Sequence, residues 1–226
     1  YGRRRGSGFG YNGYLYVVGG YDGSGGGGVL ADIEFAKINV SDGSIGTWSV
    51  STVSINQRWG LTLTVSNSFA YVIGGCISGA APSCDAYNPP NQGQTNSVQT
   101  FQVYNNDSGA PAGYATAANA YTASPNRIGV AATISNGYMY VAGGCTGTTD
   151  CVSPVTDVSY ASIDAYGALS SWTSTGALPA GRAYGKLLTA GGSLYYVGGQ
   201  DSTGASQSTV YWATPSTGAI SSWSTA

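Results

Sequence analysis

Tyr16-Val17-Val18-Gly19-Gly20 is the first of four related stretches, followed by Tyr71-Val72-Ile73-Gly74-Gly75, Tyr140-Val141-Ala142-Gly143-Gly144 and Tyr195-Tyr196-Val197-Gly198-Gly199. Sixteen residues before the first Gly of each pair stands an Arg, at Arg3, Arg58, Arg127 and Arg182. A fixed period of this kind marks a repeat protein, in which one supersecondary unit recurs and buries its faces against its copies. Seven residues before each first Gly lies a pair suited to a tight hairpin: Asn12-Gly13, Asn67-Ser68, Asn136-Gly137 and Gly191-Gly192. The pair joins a first strand, running from the Arg, to a second strand ending in Gly-Gly. Both alternating sets of that second strand are apolar, with Tyr14, Tyr16 and Val18 on one side and Leu15 and Val17 on the other. A strand of this composition is buried on both faces.

A third apolar stretch follows a variable loop in every unit, as Ile33-Glu34-Phe35, Val98 to Phe101, Val158 to Tyr160 and Val210 to Trp212. Then a Gly precedes a large aromatic by five residues, from Gly43 to Trp48, Gly109 to Tyr114, Gly167 to Trp172 and Gly218 to Trp223. This spacing predicts a turn and a fourth strand anchored by a ring. Four short antiparallel strands per unit, recurring at 55, 69 and 55 residues, match one β-propeller blade per repeat. The expected architecture is all-β: a single propeller domain over 1–226, with repeats at approximately 1–55, 56–124, 125–179 and 180–226. The longer second unit is extended mainly between Gly75 and Val98, around Asn88-Pro89-Pro90-Asn91.

The Arg, the turn, Tyr-Val-x-Gly-Gly and the later Gly-x4-Trp together resemble kelch repeats, particularly those of bacterial galactose-oxidase-central-domain-like propellers. The closest stretch runs from Ser171-Trp172 through Leu178-Pro179-Ala180-Gly181-Arg182 to Tyr196-Val197-Gly198-Gly199, and weaker copies cover essentially the whole chain. The second unit departs from the pattern in placing Tyr114 where Trp is usual. The resemblance implies a propeller, commonly of more than four blades. Four repeats leave a closed four-bladed ring, part of a larger ring, or half of a ring completed by another chain. The chain runs from first strand to fourth with no spare strand to lock the last blade to the first, and unpaired edges favour association.

Charged residues make up only 8% of the chain, the net charge is −2, and no apolar run is long enough for a membrane helix. Nucleic-acid binding is not expected, because the only basic cluster is Arg3-Arg4-Arg5, which reads as a solvated strand end. The opening at Tyr1, without a signal-peptide pattern, reads as a mature or excised segment. The four cysteines form two close pairs, Cys76 with Cys84 and Cys145 with Cys151, each beginning directly after a Gly-Gly. Two local disulfides are expected, hence an oxidising, extracytoplasmic compartment. Zinc is the competing reading, but the spacings lack C-x2-C knuckles and the chain has no His.

The absence of His removes a Ser-His-Asp triad, a Cys-His pair and His-ligated metal sites, including the copper chemistry that the resemblance would otherwise suggest. No cofactor or metal is expected. A sialidase-like glycoside hydrolase, working with Arg, Tyr, Asp and Glu, is the enzymatic alternative. Against it, Glu34 is the only Glu, and Arg58, Arg127 and Arg182 occupy equivalent repeat positions; Ser41-Asp42-Gly43 to Trp48 resembles an Asp-box with one residue too many. The repeated Arg residues are expected to bind backbone carbonyls near the first strand; the alternative is a ring of cations at a channel mouth. Tyr16, Tyr71, Tyr140 and Tyr195, with Trp48, Trp172 and Trp223, recur in register and are expected in the core.

Nonrepeated aromatics in or near connections are the candidates for a binding surface: Tyr21, Trp59, Tyr87 and Tyr184. The loop acids Asp22, Asp85, Asp150 and Asp201 read first as turn formers, with a place on such a surface, or weak Ca²⁺ binding, as the alternative. Their spacing forms no calcium loop, and Asp22 and Asp201 join the candidate surface. Asn39-Val40-Ser41 and Asn106-Asp107-Ser108 are glycosylation sequons. The expected function is noncatalytic: an extracellular or cell-surface propeller whose loops recognise carbohydrate or protein. A structural subunit of a surface layer or fibre, formed by self-assembly, is the alternative from another class.

Overall fold

Asn12 (φ 48°), Asn67 (48°) and Asn136 (49°) lie in the left-handed region, each followed by a second residue of positive φ. Two such residues form the mirror-image turn whose twist matches a pair of antiparallel strands. The computed structural model describes residues 2–23, 28–77, 84, 93, 95–103, 108–116, 120–121, 126–146, 151 and 153–226. In it the turns close hairpins at the registers Tyr11↔Tyr14, Ser66↔Phe69, Ser135↔Tyr138 and Ala190↔Ser193.

Four antiparallel sheets stand in a ring as a four-bladed β-propeller, and the described residues contain no helix able to cross a membrane. Blade 1 comprises β1 (Ser7–Tyr11), β2 (Tyr14–Tyr21), β3 (Val29–Lys37) and β4 (Ser49–Val50). Blade 2 comprises β5 (Thr62–Ser66), β6 (Phe69–Ile73), β7 (Val98–Val103) and β8 (Pro111–Thr116). Blade 3 contains β9 (Ala131–Ser135) and β10 (Tyr138–Ala142), a side ribbon of β11 (Cys145–Thr146) and β12 (Ser153–Pro154), then β13 (Val158–Ser162) and β14 (Thr173–Thr175). Blade 4 comprises β15 (Lys186–Ala190), β16 (Ser193–Val197), β17 (Val210–Ala213) and β18 (Ser224–Thr225). The first strand of each blade lies innermost, with β1 beside β5, β5 beside β9 and β9 beside β15. The third strands fall where the apolar stretches predict; β4, β14 and β18 begin directly after Trp48, Trp172 and Trp223, whereas β8 begins at Pro111 and contains Tyr114.

The Gly pairs bring successive blades together. Gly19 (φ 56°) and Gly20 (φ 107°) interrupt the β2–β3 register, and the Gly20 N–H donates to the carbonyl of Arg58 at 2.8 Å. A Cβ at Gly19 would strike that same carbonyl. Gly75 to Arg127 and Gly144 to Arg182 repeat the bond at 3.3 and 2.9 Å. The Arg side chains act within the blades. Arg58 is buried and donates from Nη1 to Gly74 O at 3.1 Å and from Nη2 to Ser97 Oγ at 3.1 Å. Arg3 donates to Gly19 O at 2.9 Å and pairs with Asp32 at 3.0 Å and Glu34 at 2.8 Å. Arg127 pairs with Asp157, and Arg182 donates to Gly181 O and Tyr211 Oη, both at 2.9 Å. A planar fork of donors suits this work.

Apolar clusters fill the seams between blades 1 and 2, 2 and 3, and 3 and 4. Tyr16, Tyr71 and Tyr140 are buried there, as expected, but Tyr195 is only half-buried and Trp48 is exposed. Both depart from the expected core for one reason: they lie on the two outward faces of blades 4 and 1, where no seam of that kind covers them. Arg4 and Arg5 are exposed, as a solvated strand end requires, but Arg3 is not. Arg3 is held in its ion pairs, and the guanidiniums of Arg4 and Arg5 lie 5.2 Å and 5.1 Å from the ring centroids of Tyr21 and Trp59.

Candidate functional site

Two residues after each repeated Arg, the backbone turns left-handed at Arg5 (φ 56°), Gly60 (63°), Gly129 (68°) and Tyr184 (58°). These four residues form a staircase round the propeller axis. Gly60 N–H donates to Arg5 O at 2.7 Å, Gly129 to Gly60 O at 3.4 Å and Tyr184 to Gly129 O at 2.8 Å. One step back in sequence, Arg4, Trp59, Ile128 and Ala183 each form a bridge to the residue after a Gly pair: Tyr21, Cys76, Cys145 and Gln200. Those bridges assemble a hub cluster of Tyr21, Trp59, Ile128, Ala183 and all four cysteines. Both disulfides are formed, Cys76–Cys84 and Cys145–Cys151, and all four of their residues are buried.

The hub cluster corrects two of the candidates. Trp59 is fully buried and Tyr21 nearly so, each with an Arg over its ring, so neither presents a stacking face to a ligand. Their residue types do not recur between repeats, but their positions do, and the positions belong to the hub. Asp201 caps a turn: its carboxylate accepts from Thr203 N (2.8 Å) and Oγ1 (2.6 Å) and from Gln207 Nε2 (2.6 Å). The Thr203 bonds, side chain first, hold its pKa below the ordinary carboxylate value. Asp22 is exposed beside the hub rim, its N–H donating to Gly28 O at 2.9 Å. Asn39 is exposed, its Oδ1 accepting from Ser41 N and Oγ at 3.2 and 2.9 Å. Tyr87, Asn106, Asp85, Asp150 and the turn Asn88-Pro89-Pro90-Asn91 lie outside the described residues.

Tyr184 is the candidate that reaches a cavity. Its ring rests on Gly129, where a Cβ would collide with it, and the residue keeps 40% of its surface exposed. It borders a pocket of about 350 Å³ on the propeller axis, lined by all four blades. Arg5 and Lys186 bring two cations to the wall, Thr62 and Gln200 bring neutral hydrogen-bonding groups, and Leu61 and Val130 bring apolar surface. No carboxylate is among the described lining residues. Such a wall attracts an anionic group and can stack a ring on Tyr184, while it offers no carboxylate to take a proton. Arg5, Lys186 and Gln200 were not among the sequence candidates. The signal for Arg5 and Gln200 is positional, two residues after the repeated Arg for the staircase and one after the Gly pair for the hub rim; Lys186, four residues after Arg182, has no such signal.

No protein-family model matches the chain, and no curated protein matches it either.

Proposed function

We propose that this protein is a kelch-type, noncatalytic recognition propeller working outside the cytoplasm, and that the axial pocket binds an acidic sugar of a surface glycan. One observation carries the reading: Arg5 and Lys186, from blades 1 and 4, face a common pocket edged by Tyr184, with no carboxylate among its described lining residues. A sugar presents an apolar ring face to an aromatic side chain, and its carboxylate suits paired cations. The two disulfides support an oxidising compartment. The hydrolase alternative gains nothing from the pocket, because Glu34 lies on blade 1 in an ion pair with Arg3 and is not part of the lining.

Calorimetric titration with sialylated and uronate-containing oligosaccharides, against their neutral counterparts, tests the assignment. The acidic ligands bind, the neutral ones bind at least tenfold more weakly, and added salt weakens binding through screening of the exposed cations. Tyr184→Ala and Lys186→Ala each reduce affinity. Equal binding of neutral and acidic sugars, or no binding of either at millimolar ligand, overturns it. A structural subunit of a surface layer or fibre is the second reading, and the outward face of blade 4 supports it.

A further inference from the structure

Each blade turns one face forward, to the next blade, and one backward. The residues three and one before the Gly pair face forward, and in the first three blades they are buried: Tyr16 and Val18, Tyr71 and Ile73, Tyr140 and Ala142. In blade 4 the same positions are Tyr195, half-buried, and Val197, 37% exposed, with Leu188 at 53% and Trp212 at 39% on the same face. The backward faces show the same contrast. Ala70 and Val72, Met139 and Val141, and Leu194 and Tyr196 are buried, whereas Leu15 and Val17 of blade 1 are half-buried.

Other contacts agree. A Cβ at Gly109, Gly167 or Gly218 would strike an aromatic ring of the preceding blade, while at Gly43 it would meet nothing within 4 Å. Trp172 and Trp223 are tucked into seams with the preceding blade, but Trp48 is 44% exposed. The Gly-to-Arg backbone bond that joins blades 1 to 2, 2 to 3 and 3 to 4 has no counterpart from Gly199 to Arg3 among the described residues.

We propose that the forward face of blade 4 binds the backward face of blade 1 in a second copy of this chain, head to tail. Three seams within the chain already mate a forward with a backward face, and the two open faces are the halves of one more. Their charges are opposite. Lys186 stands beside Leu188 on the forward face, and Asp32 with Glu34 outnumber Arg3 on the backward one. Ser193 replaces the ring that Tyr14, Phe69 and Tyr138 supply in the other blades, leaving Trp212, the counterpart of Phe35 and Tyr160, and its cross-strand neighbour Tyr195 as the large rings. A heterologous joint of this kind closes into a ring or extends into a filament, according to its rotation.

Light scattering of the 226-residue chain over a hundredfold concentration range tests this, with two complementary variants. Leu188→Asp with Trp212→Asp blocks the forward face; Leu15→Asp with Val17→Asp blocks the backward face. The wild type gains mass with concentration, each variant alone stays monomeric, and their mixture forms a one-to-one dimer, since one intact face of each kind remains. Circular dichroism identifies a variant that fails to fold. The exposed Lys186→Glu then takes its place, weakening association at least tenfold at low salt. A wild type that is monomeric throughout, a mixture of folded variants that does not dimerise, or association that Lys186→Glu leaves unchanged overturns the proposal.

Discussion

The Tyr16 hydroxyl donates to the carbonyl of Gly109, 2.8 Å away and 93 residues along the chain, and so ties the second strand of blade 1 to the loop before the last strand of blade 2. Tyr71 repeats the bond to Gly167 at 3.0 Å across the next seam. Both phenols are buried, so each is a directed bond within an otherwise apolar interface. Tyr16→Phe keeps the ring and removes the donor. It is expected to cost about 1–2 kcal/mol, as is Tyr71→Phe, with the two losses adding because they sit in different seams. Urea denaturation of the two single variants and the double variant measures this; a loss below about 0.3 kcal/mol would mean that water replaces the bond.

Gly43 (φ 74°) and Gly167 (φ 78°) have nearly the same backbone conformation and different surroundings. A methyl group at Gly43 points into open space, whereas at Gly167 it runs into the ring of Phe69. Gly43→Ala therefore meets only the backbone penalty of a left-handed residue, about 1 kcal/mol. Gly167→Ala adds overpacking and is expected to cost about 3 kcal/mol. Thermal melts of dilute protein separate the two. Equal losses would mean that a ring covers the Gly43 loop within a single chain.

The repeat made the blades legible because each strand and turn is specified by residues that recur in type: Asn at the hairpin, Tyr and Val in the second strand, Gly-Gly at its end. The hub was harder to read. Trp59 is equivalent in position to Arg4, Ile128 and Ala183, and Tyr21 to Cys76, Cys145 and Gln200, so residue types that recur leave both aromatics reading as loop residues. The cations of the axial pocket were hidden for the same reason, since Arg5 shares its place with Gly60, Gly129 and Tyr184. Trp48 shows a different limit. Its type and spacing match Trp172 and Trp223, but burial depends on a neighbouring blade, which the local pattern does not report.

Cys76 and Cys145 are fully buried in the hub cluster with Trp59 and Ile128, so the disulfides serve the axis of the ring as well as their own loops. Replacing Cys145 and Cys151 together by Ser frees a loop with a sequence separation of 6 and is expected to cost about 2–3 kcal/mol. The Cys76 and Cys84 pair, with a separation of 8, is expected to cost about as much. Because the sulfur-bearing residues are buried, reductant acts on the folded protein only through opening of the hub, and the rate of thiol release should rise with urea. Release at the same fast rate in water and in urea would place the disulfides at the surface.

Alkaline pH tests the buried phenols as a group. Burial raises the pKa of Tyr16, Tyr71 and Tyr140 from 10.0 to about 12, and pushes Tyr121 and Tyr196 higher still. Between the two values the unfolded chain has released protons that the folded protein still holds, so stability falls as pH rises. The contribution is complete below about pH 10 and is lost as pH climbs through about 12. Arg58, lowered by burial to about 10, acts in the opposite sense but is one group against five. Urea midpoints are therefore expected to be level up to about pH 9.5 and to drop steeply above pH 10, with tyrosinate absorbance from these buried rings appearing only on unfolding. If all the phenols titrate near pH 10 in the folded protein, the apolar seams are open to water.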